Sequence, residues 1–359
     1  MRPKTLAALL LTLCGTLFAE TFPVPGLPFA PLSYPCFPAP ETPRIDGWID
    51  DPAWSAAPWS ASFTDIEGSL KPSPHLDTRF KMLWDGEGLY IAARLEEPQL
   101  WATLTEHDAV IFWDNDFEVF LDPNGDTHHY FELEINALNT LWDLFLVQPY
   151  RDEHSSLNGW EAHGAKTAVG LEGTLNDPSD LDTAWNLEIF LPWQAVAELA
   201  GTSCPPRSGD YWRINISRVQ WTTEVAEGNY RKVAGIPEFN WVWSPQGLIN
   251  MHYPERWGLV WFMDAPSPDR AWEPSLPEIL PAEEYLRQVY YAQKQHLLDH
   301  GSYSISTSEL GLAPFHHRGK IHLPRLEATS RSFCATLETG DLPTLVITQS
   351  GRLIRLPLR

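Results

Sequence analysis

The chain has 359 residues, of which 43% are hydrophobic and 20% charged, enough apolar mass for one large domain or two ordinary ones and too much for a disordered or fibrous chain. Its 25 Lys and Arg stand against 47 Asp and Glu, a formal net charge of -22, which disfavours nucleic acid and anionic lipid as partners and favours cations and neutral polar ligands. The 17 Trp and 32 Pro argue for many turns and edge strands and against long interior helices.

Residues 1–19 read as a signal peptide. Arg2 and Lys4 give a positive start, Leu6 to Leu13 an apolar run too short to span a bilayer, and Ala19 a small residue before a cut at Glu20. The bulky Leu13 before Cys14 argues against lipidation. The expected location is secreted, periplasmic or cell envelope, and no later apolar run is long enough for a transmembrane segment. Export permits disulfides. Cys36 and Cys204, both in Pro-rich loops, are the expected pair; with Cys334 they lack the spacing of a zinc or redox site.

Residues 20–42 are a Pro-rich leader expected to lie along a surface. From Pro43 to Asp264 the sequence is strand-like. Strands are expected at Thr78–Trp84, Leu89–Leu95, Phe117–Leu121, Tyr130–Ala137, Thr140–Val147, Lys166–Leu171, Ala184–Leu191, Tyr211–Val219 and Arg256–Phe262. Phe131, Leu133 and Ile135 alternate with Glu132, Glu134 and Asn136, so one face of that strand belongs to a core and the other to solvent or a ligand. Pro192 opens a short helix over Trp193–Leu199. Many short strands divided by Gly, Asp and Pro turns describe a mainly β protein, a β-sandwich over 43–264. A second Pro-rich linker, 265–281, leads to a small C-terminal α+β module over 282–359. It begins with a helix over Glu283–Leu298 stopped by Gly301, and strands follow at Leu345–Thr348 and Arg352–Leu356.

Landmarks in order carry a family resemblance. They are Arg44-Ile45-Asp46-Gly47 with Asp51-Pro52-Ala53-Trp54, Leu83-Trp84-Asp85 with Leu89-Tyr90-Ile91, Glu118-Val119-Phe120-Leu121-Asp122-Pro123, and Glu134-Ile135-Asn136. Trp185-Asn186-Leu187-Glu188, Trp212-Arg213-Ile214-Asn215, Trp243-Ser244-Pro245 and Trp257-Gly258 follow. Over about 43–264 the chain resembles carbohydrate-binding module family 9. The resemblance implies a β-sandwich that binds polysaccharide or oligosaccharide without cleaving it, and structural calcium. Trp54, Trp84, Trp185, Trp212 and Trp257 fall in its core motifs. The C-terminal segment Val289-Tyr290-Tyr291-Ala292-Gln293 resembles, in architecture, type IV pilin-like proteins, where a helix leads into a small sheet.

Sugars present C–H faces ringed by hydroxyls, so their sites combine an aromatic platform with polar groups at its edge. The stretch Phe112-Trp113-Asp114-Asn115-Asp116-Phe117-Glu118 supplies both. Trp113 is the expected platform, Glu118 and Asn136 its polar partners, and Trp241, Trp243, His252 and Tyr253 the closing side. The resemblance places a second Trp near Met251 and an arginine where this chain has Glu134. Asp122, Asn124 and Asp126 place oxygens at alternate positions of a turn, an arrangement suited to calcium or simply to a solvated turn, with Asp46 and Asp50 as weaker alternatives. The acidic pairs Asp116/Glu118 and Glu132/Glu134 could imitate glycosidase carboxylates, but such pairs arise by chance in so acidic a chain, and no nucleophile elbow or His-Glu-x-x-His motif is present. The expected function is noncatalytic glycan binding. The alternative is an envelope interaction protein with a degenerate sugar site, whose C-terminal module docks to a partner, and a glycoside hydrolase is a third reading.

Overall fold

The structure, a computed structural model, describes residues 20–153, 155–265 and 272–358. The signal peptide expected over 1–19 and part of the second linker lie outside the described residues. In chain order the first unit contains β1 (Ser33–Pro38), β2 (Thr64–Asp65), β3 (Thr78–Trp84), β4 (Gly88–Glu96), β5 (Asp116–Asp122), β6 (Tyr130–Asn136), β7 (Leu141–Leu146), β8 (Ser156–Leu157), β9 (Lys166–Glu172), β10 (Ala184–Pro192), α1 (Trp193–Ala197), β11 (Tyr211–Gln220), β12 (Thr223–Ala226), β13 (Asn229–Lys232), β14 (Phe239–Val242) and β15 (Gly258–Phe262). The second contains α2 (Leu280–His300), β16 (Phe315–His317), β17 (Lys320–His322), β18 (Arg325–Ala328), β19 (Phe333–Leu337), β20 (Thr344–Thr348) and β21 (Leu353–Leu356).

The strands follow one another in the order β8-β7-β6-β5-β11-β15-β1-β3-β4-β10-β9, a curled open sheet folded into the two layers of a sandwich. The leader expected to lie along the surface supplies its joining strand. Ser33–Cys36 pair parallel with β15, and Phe37 and Pro38 pair with β3. Two prolines in so central a strand are tolerated because each half is bonded on one side only. The carbonyls of Leu32 and Cys36 accept from Leu259 and Met263, so Pro35, whose nitrogen has no hydrogen to give, points away from β15. Tyr34 and Cys36 are buried in the core. Cys36, Cys204 and Cys334 are free, which corrects the expected Cys36–Cys204 bridge; Cys36 packs as a small apolar residue instead.

The main core lies between the layers. Phe80, Ile91 and Trp185 from one layer meet Val119, Leu133 and Trp212 from the other. Phe131, Leu133 and Ile135 all point into it, as the alternation on β6 requires. The other face of β5, β6 and β7 carries a second apolar cluster, including Phe120, Tyr130, Trp142, Met251 and Trp257. This side of the sheet holds the candidate site.

In the C-terminal module, α2 lays Leu286, Val289 and Tyr290 against Phe333, Ala335, Leu345 and Ile347 of the sheet β18-β19-β20-β21. Gly301 ends the helix at φ 71°, a left-handed conformation that suits a residue without Cβ. The module is keyed into the sandwich by buried charge. Arg151 Nη2 lies 2.9 Å from Glu255 Oε1, Tyr291 Oη donates to the same carboxylate at 2.7 Å, and Lys294 Nζ lies 2.7 Å from Asp152.

Candidate functional site

The register on this face follows from strand pairing. Glu118 on β5 is the direct partner of Glu134 on β6, Phe120 of Glu132, and Glu134 in turn of Trp142 on β7. Period-2 alternation therefore collects three carboxylates and two aromatic rings on one side of the sheet. A cavity of about 290 Å³ opens over them, lined by Glu118, Glu132, Glu134, Phe112, Trp142 and Met251, with Tyr150, Glu238 and His252 also at its wall. That volume is near the small end of ligand pockets, which run from roughly 300 to 1,000 Å³.

The carboxylates are deeply placed. Glu118, Glu132 and Glu134 are each at most 5% exposed. The Glu134 Oε2 atom accepts from the Phe112 N–H at 3.0 Å, whereas Glu118 Oε2 and Glu132 Oε2 are buried without a hydrogen-bond partner among the described residues. The indole nitrogen of Trp142, the register partner of Glu134, is likewise buried without a partner among the described residues. Burial pushes the Glu118 carboxyl up to about 7. Burial, reinforced by the neighbouring Glu118 charge, pushes Glu132 and Glu134 well above the usual carboxylate range. Asp116 behaves alike: its Oδ1 accepts from Val219 N–H at 3.1 Å, its Oδ2 has no partner among the described residues, and burial raises its pKa strongly.

Trp113 sits just outside the cavity at the end of a 3-10 turn, Ile111–Trp113, with 53% of its surface exposed. Its ring stacks on Phe112, a cavity residue, with centroids 5.6 Å apart, and lies nearly parallel to Trp221 at 6.0 Å. The Lys232 ammonium lies over both indoles, 3.7 Å from the Trp221 centroid and 4.8 Å from that of Trp113. Trp221 is fixed by its own N–H bond to Phe112 O at 2.9 Å. His252 lines the cavity, with Nδ1 2.9 Å from Tyr130 Oη and its ring 4.2 Å from that of Tyr150.

Glu118 and His252 thus meet at the cavity, and Trp113 stands one ring away. The other expected binding residues lie elsewhere. Trp241 and Trp243 are buried in the main core. Asn136 is fully buried, with its Oδ1 accepting from Leu138 and Thr140 and its Nδ2 donating to Asp114 and Leu104 O, so it shapes the β6–β7 turn. Tyr253 packs under Arg151, 4.1 Å from ring centroid to guanidinium, and donates to Pro23 O at the junction with the C-terminal module. Sequence reasoning overlooked Glu132, Trp142, Tyr150 and Trp221 as lining or supporting residues. The signal for Glu132 and Trp142 was present, since Glu132 shares the strand face of Glu134 and Trp142 stands directly opposite Glu134.

The residues expected to bind calcium are tied into a turn of their own. Asp122 accepts from Gly125 and Thr127 N–H, Asn124 from Asp126 N–H, and Asp126 from His128 N–H and Arg352 Nε. These bonds close the turn. A second cavity beside it, about 440 Å³, is lined by Arg213, Arg352 and Arg355, whose guanidinium groups oppose a cation.

Residues 45–200 match the family model described as carbohydrate family 9 binding domain-like. Over 156 residues, 43% of this chain, it is 28% identical to endo-1,4-beta-xylanase A of Thermotoga neapolitana, and that stretch covers 12% of the enzyme. Family 9 modules from Caldicellulosiruptor kristjanssonii are similar in structure. The one in complex with cellotriose has a TM-score of 0.41 at 16% identity, covering 68% of this chain and 100% of its own. The one in complex with glucose has a TM-score of 0.42 at 16% identity, covering 67% and 100%. The matched segment ends before β11 and β15, which complete the same sandwich. Residues 45–200 of this chain are thus similar to modules of the carbohydrate family 9 binding-like kind.

Proposed function

We propose that the sandwich binds a glycan without cleaving it, and that the cavity over Glu118, Glu132 and Glu134 is the site. One observation carries this reading: buried carboxyl side chains and an indole, each with an atom left unpartnered among the described residues, line one cavity with aromatic rings, the donor, acceptor and platform set that a sugar ring requires. The family match over residues 45–200 supports it. Phe112 supplies a ring inside the cavity and Trp113 extends it outward. Hydrolysis is disfavoured by geometry. Carboxylate oxygens of Asp116, Glu118 and Glu134 lie within 4.8 Å of one another, bunched on one side rather than placed on both sides of a scissile bond.

Export to the periplasm or beyond belongs to the same proposal and rests on the sequence of residues 1–19. A partner in the envelope would be met by the C-terminal module, where Ile321 and Leu323 expose large apolar side chains. A glycan array on chain from Glu20 onward, with Phe112→Ala and Trp113→Ala beside it, tests the reading. Binding to a defined sugar that weakens in Phe112→Ala supports it. A clean array from folded protein refutes the glycan role for the sugars displayed.

A further inference from the structure

We infer that the cavity selects a sugar bearing a free amine, a glucosamine-type unit whose ammonium sits among Glu118, Glu132 and Glu134, over the neutral and N-acetylated sugars of the same shape. This rests on the glycan reading and specifies its ligand class.

The argument is one of charge balance. Three carboxylates line a cavity of about 290 Å³, with Glu238 at its edge. No Lys or Arg lines it among the described residues. His252 is the lining side chain there that can take a positive charge, and its Nδ1 is engaged with Tyr130. Glu118 and Glu134 are directly opposed across β5 and β6, and Asp116, one step along β5 on the same face, brings its carboxylate within 4.8 Å of both. Four buried acids so close cannot all ionise unless a cation joins them. A neutral sugar brings hydroxyls, which can donate to a carboxylate but supply no countercharge, so the acids stay largely protonated around it. An ammonium donates to several carboxylate oxygens at once and neutralises part of the charge. Glu118 and Glu132, each with one oxygen that lacks a partner among the described residues, are the lining side chains it would meet.

The surrounding walls suit the same ligand. Phe112, Phe120, Trp142 and Tyr150 border the cavity, and their ring faces attract a cation and cover the C–H face of a sugar. An acetyl group on the nitrogen removes the charge and lengthens the substituent. The N-acetylated sugar therefore loses the ion pairs and must fit a larger group into a small cavity.

Calorimetric titration of chain 20–359 decides the matter, at about pH 6, where a sugar amine is protonated. The probes are the glucosamine trisaccharide, its fully N-acetylated form and cellotriose, each in EDTA and then with calcium or manganese. The expected result is binding of the free-amine trisaccharide about tenfold or more tighter than either competitor, in EDTA, and weakened by salt. In Glu118→Gln/Glu132→Gln the preference should fall below about threefold. Because those changes remove buried charge, a melting temperature equal to or above the parent shows that the loss is not a folding defect. If the double variant does not fold, competition between free glucosamine and glucose on the unaltered protein tests the same preference: glucosamine should displace glucose, and the reverse overturns it. Equal or tighter binding of cellotriose overturns the amine preference and leaves glycan binding standing. Binding that appears only with the divalent ion also overturns it, because a metal would then be the counter-charge. No binding of any trisaccharide, with a clean array, removes both readings.

Discussion

Glu118 and Glu134 stand directly opposite each other on adjacent antiparallel strands, both buried and, among the described residues, neither in an ion pair with a basic side chain. Like charges at this register repel, and the low-dielectric surroundings amplify the cost. Removing one of them should therefore stabilise the ligand-free protein. Glu118→Gln keeps the shape and is expected to raise stability by about 1–3 kcal/mol near neutral pH. Urea unfolding of the two proteins measures it, and a destabilised variant would show that the charge is compensated by something bound.

The same cluster gives a stability that depends on pH in an unusual direction. Burial holds Glu118 at about 7, above its unfolded value, and raises Asp116, Glu132 and Glu134 further. The groups facing the cluster are Asp114 and Arg218 beside Asp116, together with Glu238, His252, Tyr130 and Tyr150. A carboxyl raised on folding binds more protons in the native state, so native stability declines as pH climbs from the unfolded carboxyl range through about 7. Glu255 acts in the opposite sense: the Arg151 and Arg287 charges overcome its burial and hold it down at about 2. Its contribution is complete above the unfolded Glu value and is lost as pH falls toward 2. Thermal melts between pH 3 and pH 9 should thus show a maximum on the acid side of neutrality, near about pH 5. A flat profile up to pH 9 would contradict the uncompensated cluster.

How much of this was legible beforehand depends on the signal each element carries. The strands around Phe131, Leu133 and Ile135 announce themselves by alternation, and β3 falls at Thr78–Trp84 as the pattern expects. The joining strand Ser33–Pro38 does not, because Pro35 and Pro38 read as breakers when the sheet neighbours are unknown. Glu118 could be picked out locally, whereas its facing of Glu134 is a fact of register between strands. Trp241, Trp243 and Tyr253 were misplaced for a related reason: an aromatic residue looks the same in sequence whether it caps a site or fills a core. The sequence also holds no sign that Asp126 would pair with Arg352, 226 positions away.

The free thiols offer a direct check on the fold. Chain 20–359 in denaturant without reductant should titrate three thiols, Cys36, Cys204 and Cys334. In the native protein Cys36, fully buried, should react far more slowly than the other two. A count of one thiol would restore the Cys36–Cys204 bridge or place Cys334 in another.

Arg151 tests how firmly the C-terminal module is joined. Its side chain is 4% exposed, lies 2.9 Å from Glu255 and 3.3 Å from Asp152, and stacks over Tyr253. Tyr290 and Lys294 from α2 meet Asp152, and Tyr291 meets Glu255, so the guanidinium balances two carboxylates that both units share. Arg151→Ala leaves those carboxylates buried with less countercharge, and the expected cost is about 3–5 kcal/mol. Arg151→Met keeps much of the packing over Tyr253 and should recover only a minor part of that loss, because the charge is still missing. If the network is what joins the two units, Arg151→Ala should also open α2, Leu280–His300, to limited proteolysis under conditions where the parent resists. Equal protease resistance at reduced stability would mean that the apolar contacts of Tyr253 and α2 hold the module by themselves.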